Sequence, residues 1–114
     1  MRLRTVSAAA VCALTMLLAA PSSATAATGD FLYQYTDSHG APQIGHLTNP
    51  PSGQCITLPE VEAESVPPAH SPRNFTSSTA AVFTGIECEG DYFSLRPNGG
   101  HGSERLKLRS VVFS

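Results

Sequence analysis

The sequence predicts an all-β fold, a small sandwich or barrel closed by one disulfide and preceded by an export signal. Three observations lead there. Beyond residue 26, apolar residues never recur at helical spacing over a window of a dozen, and Pro and Gly interrupt every stretch. Short alternating runs parted by turn sequences recur at the spacing of strands in small sandwiches and barrels. Only Cys55 and Cys88 remain once the signal is removed, and in an oxidising compartment two cysteines have a single connectivity.

The export signal comes first. Arg2 and Arg4 supply a positive start, residues 6–20 are free of charge and largely apolar, and Ala24-Thr25-Ala26 has the small-x-small pattern that signal peptidase accepts. Cleavage is expected after Ala26, giving residues 1–26 as signal and 27–114 as a single secreted, extracellular domain. An apolar run of 15 residues falls short of the roughly 20 that a membrane-crossing helix needs, so no span is expected after cleavage. Lipidation at Cys12 is disfavoured, because Val11 sits where a small residue is required and the apolar run continues past the cysteine.

The strands follow. Residues 31–36 are rich in aromatics and end at Asp37-Ser38-His39-Gly40, a turn sequence. A run over 43–47 stops at Asn49-Pro50-Pro51-Ser52-Gly53, and residues 55–58 form a third candidate. Residues 60–73 contain Pro67, Pro68 and Pro72, with Pro59 just before, and are read as a long surface loop. Residues 79–84 alternate around Val82 and Phe83, residues 85–90 turn, and 92–95 extend again. Pro97-Asn98-Gly99-Gly100-His101-Gly102 reads as loop. In the last strand Arg105, Lys107 and Arg109 alternate with Leu106 and Leu108, and it continues through Val111, Val112 and Phe113 with both faces apolar.

The cysteine pair matters energetically, because a domain of this size buries little core. In the chain-entropy model the Cys55–Cys88 loop is worth roughly 3–4 kcal/mol. Charge narrows the partners. The full chain has 7 Lys+Arg against 9 Asp+Glu, and losing Arg2 and Arg4 leaves a net charge of −4. Nucleic acid is therefore not an expected partner, since its binding rests on neutralising phosphates.

At Phe83-Thr84-Gly85-Ile86-Glu87-Cys88-Glu89-Gly90 the chain resembles the Greek-key signature of βγ-crystallin-like domains, as found in small secreted microbial proteins. Phe83 and Gly90 hold the separation of that family's first aromatic and its glycine, and Ser110-Val111 sits where its serine-valine falls. Cys88 replaces the second aromatic, a departure that a disulfide at this point can compensate by pinning the turn. The resemblance implies a Greek-key sandwich in which Gly90 takes a positive φ, Phe83 packs on the folded hairpin and the Ser110 hydroxyl bonds its turn. Tyr33 and Gly40 repeat the aromatic-to-glycine separation, which allows a second motif in the first half. Family members often bind calcium through an acidic or Asn pair four and five residues before the serine. Here those places hold Arg105 and Leu106, so no metal and no cofactor are expected.

No catalytic pattern emerges. His39, His46, His70 and His101 are scattered without the paired spacing of a zinc site and are read as solvated loop residues. There is no nucleophile elbow. Glu60, Glu62 and Glu64 alternate, as do Arg105, Lys107 and Arg109, and pairing across strands would offset their charges. Asn74-Phe75-Thr76 matches a glycosylation sequon. The expectation is a secreted non-enzymatic structural or binding module whose partner is an extracellular protein or cell-wall component. An inhibitor of an extracellular protease, presenting the proline-rich loop as a rigid substrate mimic, is the alternative, with a secreted toxin or antimicrobial protein a second one.

Overall fold

The computed structural model describes residues 26–114. All of the expected export signal except its last residue, Ala26, lies outside that span. Among the described residues nine strands form two antiparallel sheets: β1 (Gly29–Thr36), β2 (Pro42–Thr48), β3 (Ile56–Thr57), β4 (Ala69–Thr76), β5 (Ala80–Phe83), β6 (Tyr92–Leu95), β7 (Gly100–His101), β8 (Lys107–Leu108) and β9 (Ser110–Phe113). The first sheet runs β2-β1-β4-β7, with β8 also paired to β4, and the second runs β3-β9-β5-β6. Each half of the chain keeps a hairpin and its closing strand in one sheet, β2-β1-β4 and β6-β5-β9, and sends what lies between to the other sheet, β3 from the first half and the short β7 and β8 from the second.

The alternating aromatics of β1 account for much of the core. Phe31 and Tyr33 are buried while Asp30 and Gln34 face water, and Phe31 meets Phe113 of β9 edge-on at 5.4 Å, joining the sheets. Leu58, Val61, Val82, Leu108 and Val111 complete the interior. Burying side chains of this size stabilises the fold by about 1.5–3 kcal/mol each. Gly45 of β2 stands opposite Tyr33, and a Cβ there would overlap the Tyr33 ring, so only glycine lets the ring lie flat against that strand.

Three expectations about strands and loops are corrected. The loop read over residues 60–73 is shorter than its prolines suggest, because β4 begins at Ala69 and pairs with β1 on one side and with β7 and β8 on the other. Pro72 is tolerated inside it because the β1–β4 register shifts there: Leu32 faces Arg73 but Gln34 faces His70. That bulge places Ser71 at φ 53 and takes Pro72 out of the ladder that would need its N–H. Residues 97–102 are not all loop, since Gly100 and His101 pair with Asn74 and Arg73. The last strand is broken at Arg109, with β8 in the first sheet and β9 in the second, so the chain crosses between sheets at that residue.

What precedes β4 is an ordered strap. Residues 59–61 form one 3-10 turn and Val61 is buried. The Arg109 guanidinium then donates to the carbonyls of Val61 (2.9 Å), Ala63 (3.0 Å) and Val66 (2.8 Å), with Glu64 O at 3.5 Å. The anticipated charge pairing with glutamates is replaced by backbone carbonyls, which suit the planar fork of donors that guanidinium carries. Lys107 likewise reaches a carbonyl, that of Glu104.

Candidate functional site

The turn between β5 and β6 folds back over the second sheet. Thr84 N–H donates to Asp91 O and Gly85 N–H to Glu89 O, both at 2.9 Å, which closes the hairpin. Gly90 lies at φ 86, and a Cβ there would collide with Thr84 Oγ1, the acceptor for Asp91 N–H. Ser110 Oγ accepts from Cys88 N–H (2.8 Å) and donates to Gly85 O (2.6 Å). Glu87 N–H donates to Thr57 Oγ1, and Cys88 is bonded to Cys55. Glu87 and Cys88 both occupy left-handed backbone, at φ 56 and 57, a conformation that costs a non-glycine residue about 1–2 kcal/mol. Disulfide, serine and threonine together hold the chain in it. Phe83 pairs with Tyr92 across the hairpin base, ring centroids 5.7 Å apart.

The corresponding first-half turn is plainer. Asp37 accepts from the N–H groups of His39 and Ala41, both at 2.9 Å, and from Gln43 Nε2. These bonds, led by that from Ala41, hold its carboxyl below the ordinary aspartate range. Gly40 has φ 79. Tyr33 donates its phenolic proton to Glu60 Oε1 at 2.7 Å, and burial followed by that hydrogen bond raises its pKa strongly.

Asn74 lies at the centre of the first sheet with its side chain fully buried. Its Nδ2 donates to the carbonyls of Ser78, Leu95 and Arg96, and its Oδ1 accepts from the N–H and hydroxyl of Thr76. The sequon is therefore closed to a glycan in the folded state, because the nitrogen that would carry the sugar is enclosed.

The outward face of the first sheet gathers residues that the sequence shows only as scattered. Residues directly opposite on antiparallel strands share a face, and the register gives three rows. Thr48, Asp30 and Phe75 form one, with Thr48 Oγ1 donating to Asp30. His46, Leu32, Arg73 and His101 form the next, and Ile44, Gln34, His70 and Lys107 the third. Three of the four histidines thus stand on strands of one face, and only His39 occupies a turn, which corrects their reading as loop residues. Ile44 and Phe75 are 67% and 48% exposed. An open depression of about 150 Å³, lined by Leu32, Tyr33, Gln34, Ile44, Ser71 and Arg73, lies at the middle. His70 Nδ1 sits 2.8 Å from Ser71 Oγ on the bulge that forms part of its wall.

Of the sequence-singled residues, the structure brings Cys55, Cys88 and Ser110 together around the folded turn, with Phe83 and Gly90 at its ends. Arg105 is exposed, and Leu106 packs partly against the core. Comparison with known proteins finds no matching family model, no matching curated protein and no matching solved structure.

Proposed function

We propose that the chain is a secreted, non-catalytic binding module built from two crystallin-like Greek keys, and that it presents the outward face of the first sheet to an extracellular partner. The observation that carries the proposal is that face: Ile44, Leu32 and Phe75 set among Arg73, Lys107 and three histidines, around an open depression, with Leu32, Arg73 and Phe75 on the inner strands β1 and β4, which are paired on both sides. Exposed apolar side chains set among charged and aromatic ones are the composition of a recognition surface. The repeated strand order, the positive φ of Gly90 and the Ser110 bonds across the turn support the crystallin-like architecture. The disulfide and the signal-like N-terminal sequence support export.

The test is partner capture from culture medium with the folded, oxidised protein as bait, compared with an Arg73→Ser/Phe75→Ser variant and a Tyr92→Ser control on the second sheet. The partner is expected with wild type and control and absent with the double variant. Equal recovery by all three would remove the first sheet as the binding face.

A second reading draws on the Arg109 strap. Exposed residues 62–65 are held from within by a guanidinium, the kind of preorganisation that favours a rigid protease-inhibiting loop. Incubation with a panel of extracellular serine and metalloproteases decides it, and no inhibition at micromolar concentration removes it.

A further inference from the structure

Resting on the binding-module reading, we propose that the outward face of the first sheet is a pH-gated site for a linear acidic polysaccharide. At neutral pH the fixed cations of this face are Arg73 and Lys107, opposed by Asp30, so the face is close to neutral. Histidine is the side chain that gains its charge between about pH 8 and 5, and His46, His70 and His101 all stand in the two rows that hold Arg73 and Lys107.

In the rows set by the register the three imidazoles stand beside neutral or cationic side chains, with no carboxylate directly opposite any of them. His46 on β2 stands opposite Leu32, between Ile44 and Thr48 on its own strand. His70 on β4 stands between Gln34 and Lys107 and meets Ser71 Oγ. His101 on β7 stands opposite Arg73, its Nδ1 3.3 Å from Gly99 O. Asp30, in the outermost row and already taken by Thr48, is the carboxylate among these paired positions. The hairpin acids Glu87, Glu89 and Asp91 lie on the turn folded over the other sheet. The domain is acid overall but cationic on this one face once the imidazoles are protonated.

Ligand chemistry follows from the spacing and from what the backbone leaves free. With strands about 4.8 Å apart, the charges of His46, Arg73 and His101 spread over roughly 14 Å across the sheet. That suits an anion repeated along a polymer better than a single small anion. Leu32, Ile44 and Phe75 lie between the charges and offer apolar surface to the C–H faces of sugar rings. An extended acidic peptide is recognised mainly through backbone hydrogen bonds at a sheet edge. The charges here lie on the face of the sheet and not along its free β2 edge, and the backbone groups of the inner strands β1 and β4 are used in ladders, so recognition on this face falls to side chains.

The test is retention of the folded protein on immobilised polygalacturonate, with neutral dextran and poly-glutamate as comparison matrices, at pH 5.5 and 7.5 and low salt. Wild type is expected to bind polygalacturonate about tenfold more tightly at the lower pH, to lose that binding in high salt, and to ignore dextran. In His46→Gln/His101→Gln, both exposed positions, the pH ratio should fall below about threefold, whereas His39→Gln, off this face, should keep the wild-type ratio. Arg73→Gln should weaken binding at both pH values. No binding at pH 5.5, an unchanged ratio in the double variant, or equal retention on poly-glutamate would each overturn the proposal. If polygalacturonate fails yet Arg73→Ser/Phe75→Ser still abolishes partner capture, the pH-gated glycan site falls and the binding module stands. Insensitivity in both experiments removes both.

Discussion

Replacing Arg109 by methionine keeps the apolar stem and removes the guanidinium that gathers the strap of residues 61–66. The Val61 and Val66 carbonyls are partly buried, at 2.9 and 2.8 Å from Nη1 and Nη2, whereas those of Ala63 and Glu64 are exposed and can turn to water. A hydrogen bond to a charged donor contributes about 1.5–3 kcal/mol when water cannot replace it. Counting only the two shielded carbonyls, at the low end because Arg109 is itself partly exposed, the loss is about 3 kcal/mol. For a domain of this size that lowers Tm by roughly 12–24 °C. Lysine should recover only a minor part, since one ammonium cannot span carbonyls that the fork reaches from two nitrogens. Thermal unfolding by circular dichroism measures the first effect, and limited proteolysis, with new cleavage at residues 62–66, the second. An Arg109→Met protein melting within about 3 °C of wild type and equally resistant at the strap would refute the clamp.

Other outcomes follow from the same contacts. Breaking the Cys55–Cys88 bond, by reductant or by a double Ser substitution, should cost roughly 3–4 kcal/mol in denaturant titrations and free the folded turn, seen as faster exchange of the Glu87 and Cys88 amides. Asn74→Ala leaves the buried Thr76 N–H without its acceptor and should cost about 2–4 kcal/mol by chemical denaturation. Asn74→Asp should be worse at pH 7, with a carboxylate against three carbonyls, and should improve in acid as it regains a donor. Asp37 has a lowered folded-state pKa, so its support of the first turn is complete above the ordinary aspartate value and is lost as pH falls through the folded value. A carboxyl NMR titration should show its midpoint below the ordinary value, and a midpoint at or above it would contradict the Ala41 and His39 bonds. Gly90→Ala, forced to φ 86 against Thr84 Oγ1, should destabilise by at least about 1 kcal/mol in the same melts.

How much of this was legible in the sequence depends on whether residue type and facing agree. Where they do, as in β1 with Phe31 and Tyr33 inward and Gln34 outward, alternation suffices. In β4 they are reversed: Asn74 and Thr76 point inward and satisfy each other, Phe75 points outward, and Pro72 interrupts the run at a bulge. A hydrophobic pattern cannot find such a strand, because its inward residues are held by hydrogen bonds rather than by burial of apolar area. The histidine face is hidden for a different reason. His46, His70 and His101 meet only through the register of β2, β1, β4, β7 and β8, which is long-range information absent from local spacing. The role of Arg109 was obscured by its neighbours, since alternating cations suggest a charged strand face and give no sign that the chain changes sheets at that residue. Cysteine count, by contrast, needed no geometry to name the disulfide.

The place of β9 bears on how the domain comes together. It lies between β3 and β5, so β3 stays single until a segment more than fifty positions later reaches it. Ser110 cannot fasten the turn, nor Phe113 cap Phe31, before then. A chain emerging from its N-terminal side can pair β1, β2 and β4 early but leaves the second sheet unfinished until β9 arrives, and closure over such separations is slow. That delay makes the second sheet the last part of the domain to be completed.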